Sequence, residues 1–192
     1  NYEVLGIDVK INTKVKLDHF LNINLNKLCI DDNYRNKKFI EIKEIINKKK
    51  LIGLINCAAI QITKEFDNLS LDDLQVSINT NVLSIFVLVK QLKNNFCNQE
   101  SFIINISSIH SKLSKSKFLA YSFSKSALDG MSKAMAIELG DKLNIVSISP
   151  AAIDTKMLLD GLGNKKLVEK VKNFHPTKTI GHPDDIVKIV TF

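Results

Sequence analysis

Short apolar runs alternate with longer amphipathic ones along most of this chain, and that alternation leaves few folds open. Residues 4–7, 20–23, 51–55, 102–106 and 145–148 each form a compact apolar run of strand length. Between them lie helical periodicities. Phe39, Ile42 and Ile46 share one face of residues 33–47, and Leu74, Ile78, Val82, Phe86 and Val89 recur at threes and fours over 71–94. A third long helix is expected over 120–139, closed by Gly140, with further helices over 165–173 and after Pro183. The lysines at Lys48, Lys49 and Lys50 fall where cations favour a helix C-terminus. Strands alternating with helices of this length predict an α/β fold, a doubly wound parallel sheet. No internal repeat or Gly/Ser linker interrupts the pattern, so residues 1–192 are expected to form one domain around one core.

Composition excludes several classes. No apolar stretch approaches the roughly 18 residues that suggest a membrane span. Cys29, Cys57 and Cys97 are odd in number and widely spaced, which fits a reduced, cytoplasmic chain better than a disulfide framework. His19, His110, His175 and His182 show no paired-ligand spacing, so no metal site is expected. The net charge of +7 raises nucleic acid as a partner. Of the 27 basic residues, however, only Arg35 is arginine, the side chain best suited to bidentate phosphate and base contacts. The charge follows a broad Lys, Asn and Ile bias, and no specific nucleic-acid partner is expected.

The chemistry-bearing pattern is Tyr121-Ser122-Phe123-Ser124-Lys125, with Ser108 thirteen residues before the tyrosine and Asn81 earlier, inside the helix starting at Leu71. Residues i and i+4 share a helix face, so Tyr121 and Lys125 can project into one cleft. A tyrosine titrates near 10, and an adjacent ammonium favours the phenolate, drawing that value toward a useful range. Ser108 follows a buried strand, at the sheet rim where ligands of such folds bind. Tyr34 and Lys38 repeat the Tyr/Lys spacing, but Leu21 stands thirteen residues before Tyr34 and can do no polar chemistry. Taken singly, each of these residues also has a structural reading: a strand-end turn, a packed ring, a solvated charge.

Together Asn81, Ser108, Tyr121 and Lys125 resemble the active-site tetrad of the short-chain dehydrogenase/reductase family, and the resemblance runs over nearly the whole chain. It implies hydride transfer between a nicotinamide and a carbonyl or secondary alcohol. Tyr121 would be the acid/base, Lys125 would tune it and hold the ribose, Ser108 would orient the oxygen, and Asn81 would hold a water in a proton relay. Asn56-Cys57-Ala58-Ala59 resembles the family's Asn-Asn-Ala-Gly, placing Asn56 and Ala58 beside the cofactor. Residues 150–155 resemble its Pro-Gly segment, which assigns Pro150, Ile153 and Thr155 to the nicotinamide end, with Ala151 in place of Gly. Asn24 and Leu25 stand where the family has Asp-Val near the adenine. Asp8 fits the acid that binds the adenosine ribose, favouring NAD over NADP, although Lys10 nearby suits a phosphate.

The Gly-rich phosphate loop of the resemblance, about 20 residues before such an acid, is not in the chain. The expectation is therefore an internal piece lacking an N-terminal strand, loop and helix and a C-terminal strand, with the first of these strands between those ending at Asp8 and Asn56. Such a piece is expected to bind dinucleotide poorly and to be inactive alone. The intact protein is expected to act on a small carbonyl or alcohol as a homodimer or homotetramer. Alternatives on the same fold are a non-catalytic dinucleotide-binding or regulatory module, and a nucleotide-sugar epimerase or dehydratase. Ile109, His110, Phe118, Met157, Leu158 and Leu159 are expected to border the substrate. His110 could bond a polar substrate, but a surface loop histidine is the reading the sequence favours. Residues 156–173 suit a mobile lid, with Gly161 and Gly163 giving it freedom.

Overall fold

The computed structural model describes residues 2–11, 15–47, 49–97, 100–163 and 165–191; Lys48 of the lysine run lies outside them. Among the described residues, five short strands form two sheets, each with parallel pairing throughout. β1 (Leu5–Asp8) pairs with β2 (His19–Asn22), Leu5 opposite His19 and Asp8 opposite Asn22. β3 (Gly53–Asn56), β4 (Phe102–Ile106) and β5 (Asn144–Ile148) form a second sheet in that order. Gly53 is needed where it stands, because a Cβ there would run into the Phe102 ring of the neighbouring strand. β1 and β3 face each other across a groove of about 810 Å³ bordered by Leu5, Ile7, Leu54, Ile85 and Leu88. That is the position in which the sequence reading puts a further strand.

The helices cover these strands with the faces their periodicity predicts. α1 (Leu25–Ile30) is short and escapes the periodicity reading, yet Asn24 caps it by accepting from Lys27 N at 3.0 Å. α2 (Asp32–Ile46) buries Phe39, Ile42 and Ile46. The helix expected over 71–94 is not continuous. α3 (Leu71–Ile78) starts in a Ser70/Asp73 capping box, a π-helical turn follows over Asn79–Leu83, and α4 (Ser84–Leu92) resumes the α pitch. The π turn slips the register by one residue and carries Asn79 and Asn81 into the interior, at 2% and 1% exposure.

α5 (Leu119–Leu139) is the longest element and packs against α3, the π turn and β5. Gly140 closes it in a right-handed conformation, φ −66°. α6 (Lys156–Leu162) ends at Gly163, whose φ of 77° is the left-handed cap that glycine adopts without strain. α7 (Lys165–Phe174) and α8 (Pro183–Thr191) complete the chain's elements. Ile23, Leu28, Ile42, Ile103 and Leu128 are essentially inaccessible, and burying each contributes about 1.5–3 kcal/mol. Among the described residues no helix is long and apolar enough to cross a membrane, and no cluster of His, Cys, Asp and Glu is arranged to hold a metal ion. The three cysteines form no disulfide.

Candidate active site

β4 ends at the rim of the three-stranded sheet, and the chain beyond it is held in place by the neighbouring strand: Ser107 N donates to Ile148 O at 2.7 Å and Ile109 N to Pro150 O at 2.8 Å. Ser108 is buried, extended, and accepts from His110 N at 3.1 Å, which starts a tight turn over Ile109–Ser111. The chain then loops to α5, whose first turns return Tyr121 and Lys125 to the same rim, 7% and 3% exposed. The Ser108 hydroxyl is near enough to the Tyr121 phenol to lower its pKa, against the larger effect of burial. Thus Ser108, Tyr121 and Lys125 do meet.

Their electrostatics depart from the sequence expectation. Burial pushes the Tyr121 phenol above its ordinary pKa, and the Ser108 hydroxyl only partly opposes this. The Lys125 ammonium sits 5.7 Å from the centre of the Tyr121 ring and donates to Ile106 O at 2.7 Å. It therefore does not lower the phenol in this structure. Burial instead lowers Lys125 itself to about 8, against the opposing pull of Cys57 and Asp129. Asp129 stands one helical turn beyond Lys125. Burial raises its carboxyl, but the hydroxyls of Ser111, Ser107 and Ser147 outweigh burial, with Ser147 Oγ donating at 2.7 Å.

The Asn81 side chain is bound into the structure behind the site. Its Oδ1 accepts from Ile60 N at 2.8 Å, while Nδ2 donates to Ile60 O and to Ser124 Oγ, both at 2.9 Å. Ser124 Oγ passes the chain on to Tyr121 O at 2.8 Å. The carboxamide is occupied in pinning the loop after β3 to the turn of α5 that carries Tyr121. Inside the sheet a second amide chain links Asn56 Nδ2 to Asn105 Oδ1 and Asn105 Nδ2 to Ser132 Oγ, each at 2.8 Å. Asn56 thus anchors the end of β3, and small, exposed Ala58 follows it.

The remaining expected contacts lie at the same carboxyl ends of the strands. Asp8 turns back on its own chain, accepting from Val9 N at 2.6 Å. Asn24 spends its oxygen on the α1 cap, and Leu25 packs against the core. Ile153 bridges to Gly181, and Thr155 caps α6 through Leu158 N at 3.3 Å. Gln61 Nε2 donates to Met157 O at 3.4 Å, tying the loop after β3 to the expected lid. Tyr34, the decoy, is a structural pin: its hydroxyl accepts from Asn24 N at 2.9 Å beneath Lys27. Asn105, Ser132 and Asp129 were not singled out by sequence, though a polar residue inside the apolar run 102–106 and an acid one turn after Lys125 are visible signals.

A nicotinamide dinucleotide fits this rim on one observation. Lys125 has three donor positions, Ile106 O takes one, and no carboxylate of the described residues lies within ion-pair distance of its ammonium. A ribose hydroxyl is a suitable second acceptor. The small side chains of Ala58 and Ala59 leave the approach open.

Comparison with known proteins gives a consistent result. The family model described as enoyl-(acyl carrier protein) reductase matches residues 32–192. Carbonyl reductase [NADPH] 2 of Sus scrofa is 28% identical over 142 residues, covering 72% of this chain and 58% of that protein. The 3-oxoacyl-[acyl-carrier-protein] reductase FabG of Buchnera aphidicola is 32% identical over 141 residues, covering 72% and 57%. The chain spans about half the length of the curated relatives it matches. Among solved structures, 4-hydroxyisoleucine dehydrogenase complexed with NADH superposes with a TM-score of 0.84 at 26% identity, over 98% of this chain and 79% of that one. A Francisella tularensis protein of similar fold gives 0.84 at 20% identity, over 99% and 79%.

Proposed function

Because the chain belongs to the short-chain dehydrogenase/reductase family, we propose that it carries the active site of a nicotinamide-dependent oxidoreductase acting on a small carbonyl compound or the matching secondary alcohol. The observation that supports this most is the meeting of a buried phenol, a hydroxyl and a buried ammonium at one strand-end rim. When bound, the nicotinamide supplies or takes the hydride. Tyr121 gives its proton to the oxygen of the carbonyl being reduced, or takes it from the alcohol being oxidised. Ser108 donates to the same oxygen and sets its distance from the phenol. A phenol raised by burial is a better proton donor than base at neutral pH, so the site as it stands suits reduction.

Lys125 holds a ribose hydroxyl with its remaining donors, which is also what brings its charge to bear on Tyr121. The Asn81 carboxamide, bonded to Ile60 and to Ser124 Oγ, holds the loop after β3 against the turn of α5 that presents Tyr121 and Lys125. Asn56, Ala58, Pro150, Ile153 and Thr155 line the cofactor side. Asp8, exposed at the end of β1, favours NAD, since a phosphate on the ribose would meet a like charge. Relatives carry both preferences in their names. The exposed Leu83, Phe86 and Phe123 on the helices suit a second copy of the chain as partner.

The test is Tyr121→Phe in the intact protein, with a panel of small ketones and aldehydes. Turnover is expected to fall by at least about 100-fold, the contribution of a positioned acid/base, with dinucleotide binding retained. Turnover equal to that of the unmodified protein would remove the mechanism.

A further inference from the structure

The loop joining Ser108 to Tyr121 contains side chains that proton transfer does not use. His110 packs on the buried Phe118 ring with centroids 4.7 Å apart, and Phe118 meets the Tyr121 ring edge-on at 5.9 Å. The His110 ring itself stands edge-on to Tyr121 at 6.2 Å. The Lys115 ammonium lies 4.0 Å from the centre of the same Phe118 ring. One aromatic ring therefore gathers an imidazole and an ammonium beside the phenol.

Lys115 is exposed, and among the described residues neither group has a carboxylate partner. The neighbouring lysines do: Lys117 pairs with Glu65 at 3.0 Å, and Lys112 faces Asp129. For Lys115 no carboxylate of the described residues comes within ion-pair distance, and burial alone holds its ammonium below the usual lysine range. His110 Nδ1 lies 3.3 Å from Leu113 O. A carbonyl only accepts, so Nδ1 carries the hydrogen and Nε2 is left over. Burial lowers the His110 pKa, the Leu113 bond opposes this, and the Lys115 charge lowers it further. Tyr121 from α5 and Lys115 from the loop are the titratable groups facing the imidazole, and both disfavour its cation or are neutral. A single anion between them would relieve both groups at once.

We propose that Lys115 and His110 receive the carboxylate of the substrate, so that the compound handled at Tyr121 is a short hydroxy or oxo acid. The inference rests on the oxidoreductase reading and narrows its substrate. One ammonium and one titrating imidazole balance a monoanion rather than a phosphate. The only arginine, Arg35, is engaged elsewhere with Leu28 O and Cys29 O. A bound carboxylate favours the imidazolium, so binding takes up a proton and strengthens as pH falls through the bound-state pKa of His110.

The test needs no turnover. The Cε1–H resonances of the four histidines are followed by NMR while 3-hydroxybutanoate, its methyl ester or sodium chloride is added, with His110→Gln assigning the resonance. With the acid, the His110 signal is expected to shift saturably and its titration to move to higher pH; the ester and the salt are expected to leave it in place. Lys115→Met is expected to weaken the acid about ten-fold, the loss of one charged hydrogen bond. An equal response to ester and acid, a common drift of all four histidines, or no effect of Lys115→Met overturns the proposal. The Tyr121→Phe measurement is untouched by these outcomes, so the two readings fail separately.

Discussion

Lys125→Met is expected to make the fold more stable at neutral pH while removing the ammonium that is proposed to hold a ribose hydroxyl. The ammonium is 3% exposed, and its pKa is about 8 instead of the ordinary 10.5. Keeping it charged at pH 7 therefore costs the folded state about 3 kcal/mol. Methionine fills a similar volume without that cost. The substitution also strips Ile106 O of a donor at 2.7 Å, a loss of about 1 kcal/mol. The balance is a gain of about 2 kcal/mol at pH 7, or roughly one molar in a urea midpoint.

Alkali should erase that gain. Between the folded pKa near 8 and the unfolded value near 10.5, the unfolded chain holds more protons on Lys125 than the folded chain does. Stability of the unmodified protein therefore rises with pH across this window, relative to the variant, by about 1.4 kcal/mol per pH unit. The two stability curves are expected to cross between about pH 9 and pH 10. Urea unfolding of both proteins from pH 7 to pH 10 measures the difference directly, because every other titrating group cancels. Curves that stay parallel throughout would mean that Lys125 is not charged and desolvated as described, and the reasoning about the site would fall with it.

Asn105→Leu breaks a buried amide chain at its centre, leaving Asn56 Nδ2 and Ser132 Oγ without their 2.8 Å partners. A loss of about 2–5 kcal/mol is expected in chemical unfolding, and Ser132→Ala in the same background should cost little more. Tyr34→Phe removes only the bond from Asn24 N and should cost about 1 kcal/mol, with turnover of the intact protein unchanged, in contrast to the loss expected of Tyr121→Phe. Ser70→Ala opens the capping box of α3 and should lower stability by about 1 kcal/mol; no change in the thermal midpoint would count against the cap.

Ser108, Tyr121 and Lys125 were legible because the rules that join them are local. A residue just past an apolar strand reaches the sheet rim, and i and i+4 share a helix face, whatever the rest of the chain does. β4 is found at its expected limits for the same reason, and β1, β2 and β5 within a residue of theirs. What escaped depends on single steps that periodicity blurs. The π turn at Asn79–Leu83 shifts the helix by one residue, and the apolar spacing at threes and fours absorbs that shift without a trace. Six-residue α1 is shorter than the window in which a helical period can be seen, although its Asn cap was there to read. The pKa of Tyr121 was misjudged because spacing shows which groups are near, not which way a flexible ammonium turns. In this structure Lys125 turns to Ile106 O, and burial then decides the phenol. The direction of that pKa is therefore set by how deeply α5 seats the ring and by the Ser108 hydroxyl that opposes burial, neither of which the spacing of Tyr121 and Lys125 reports.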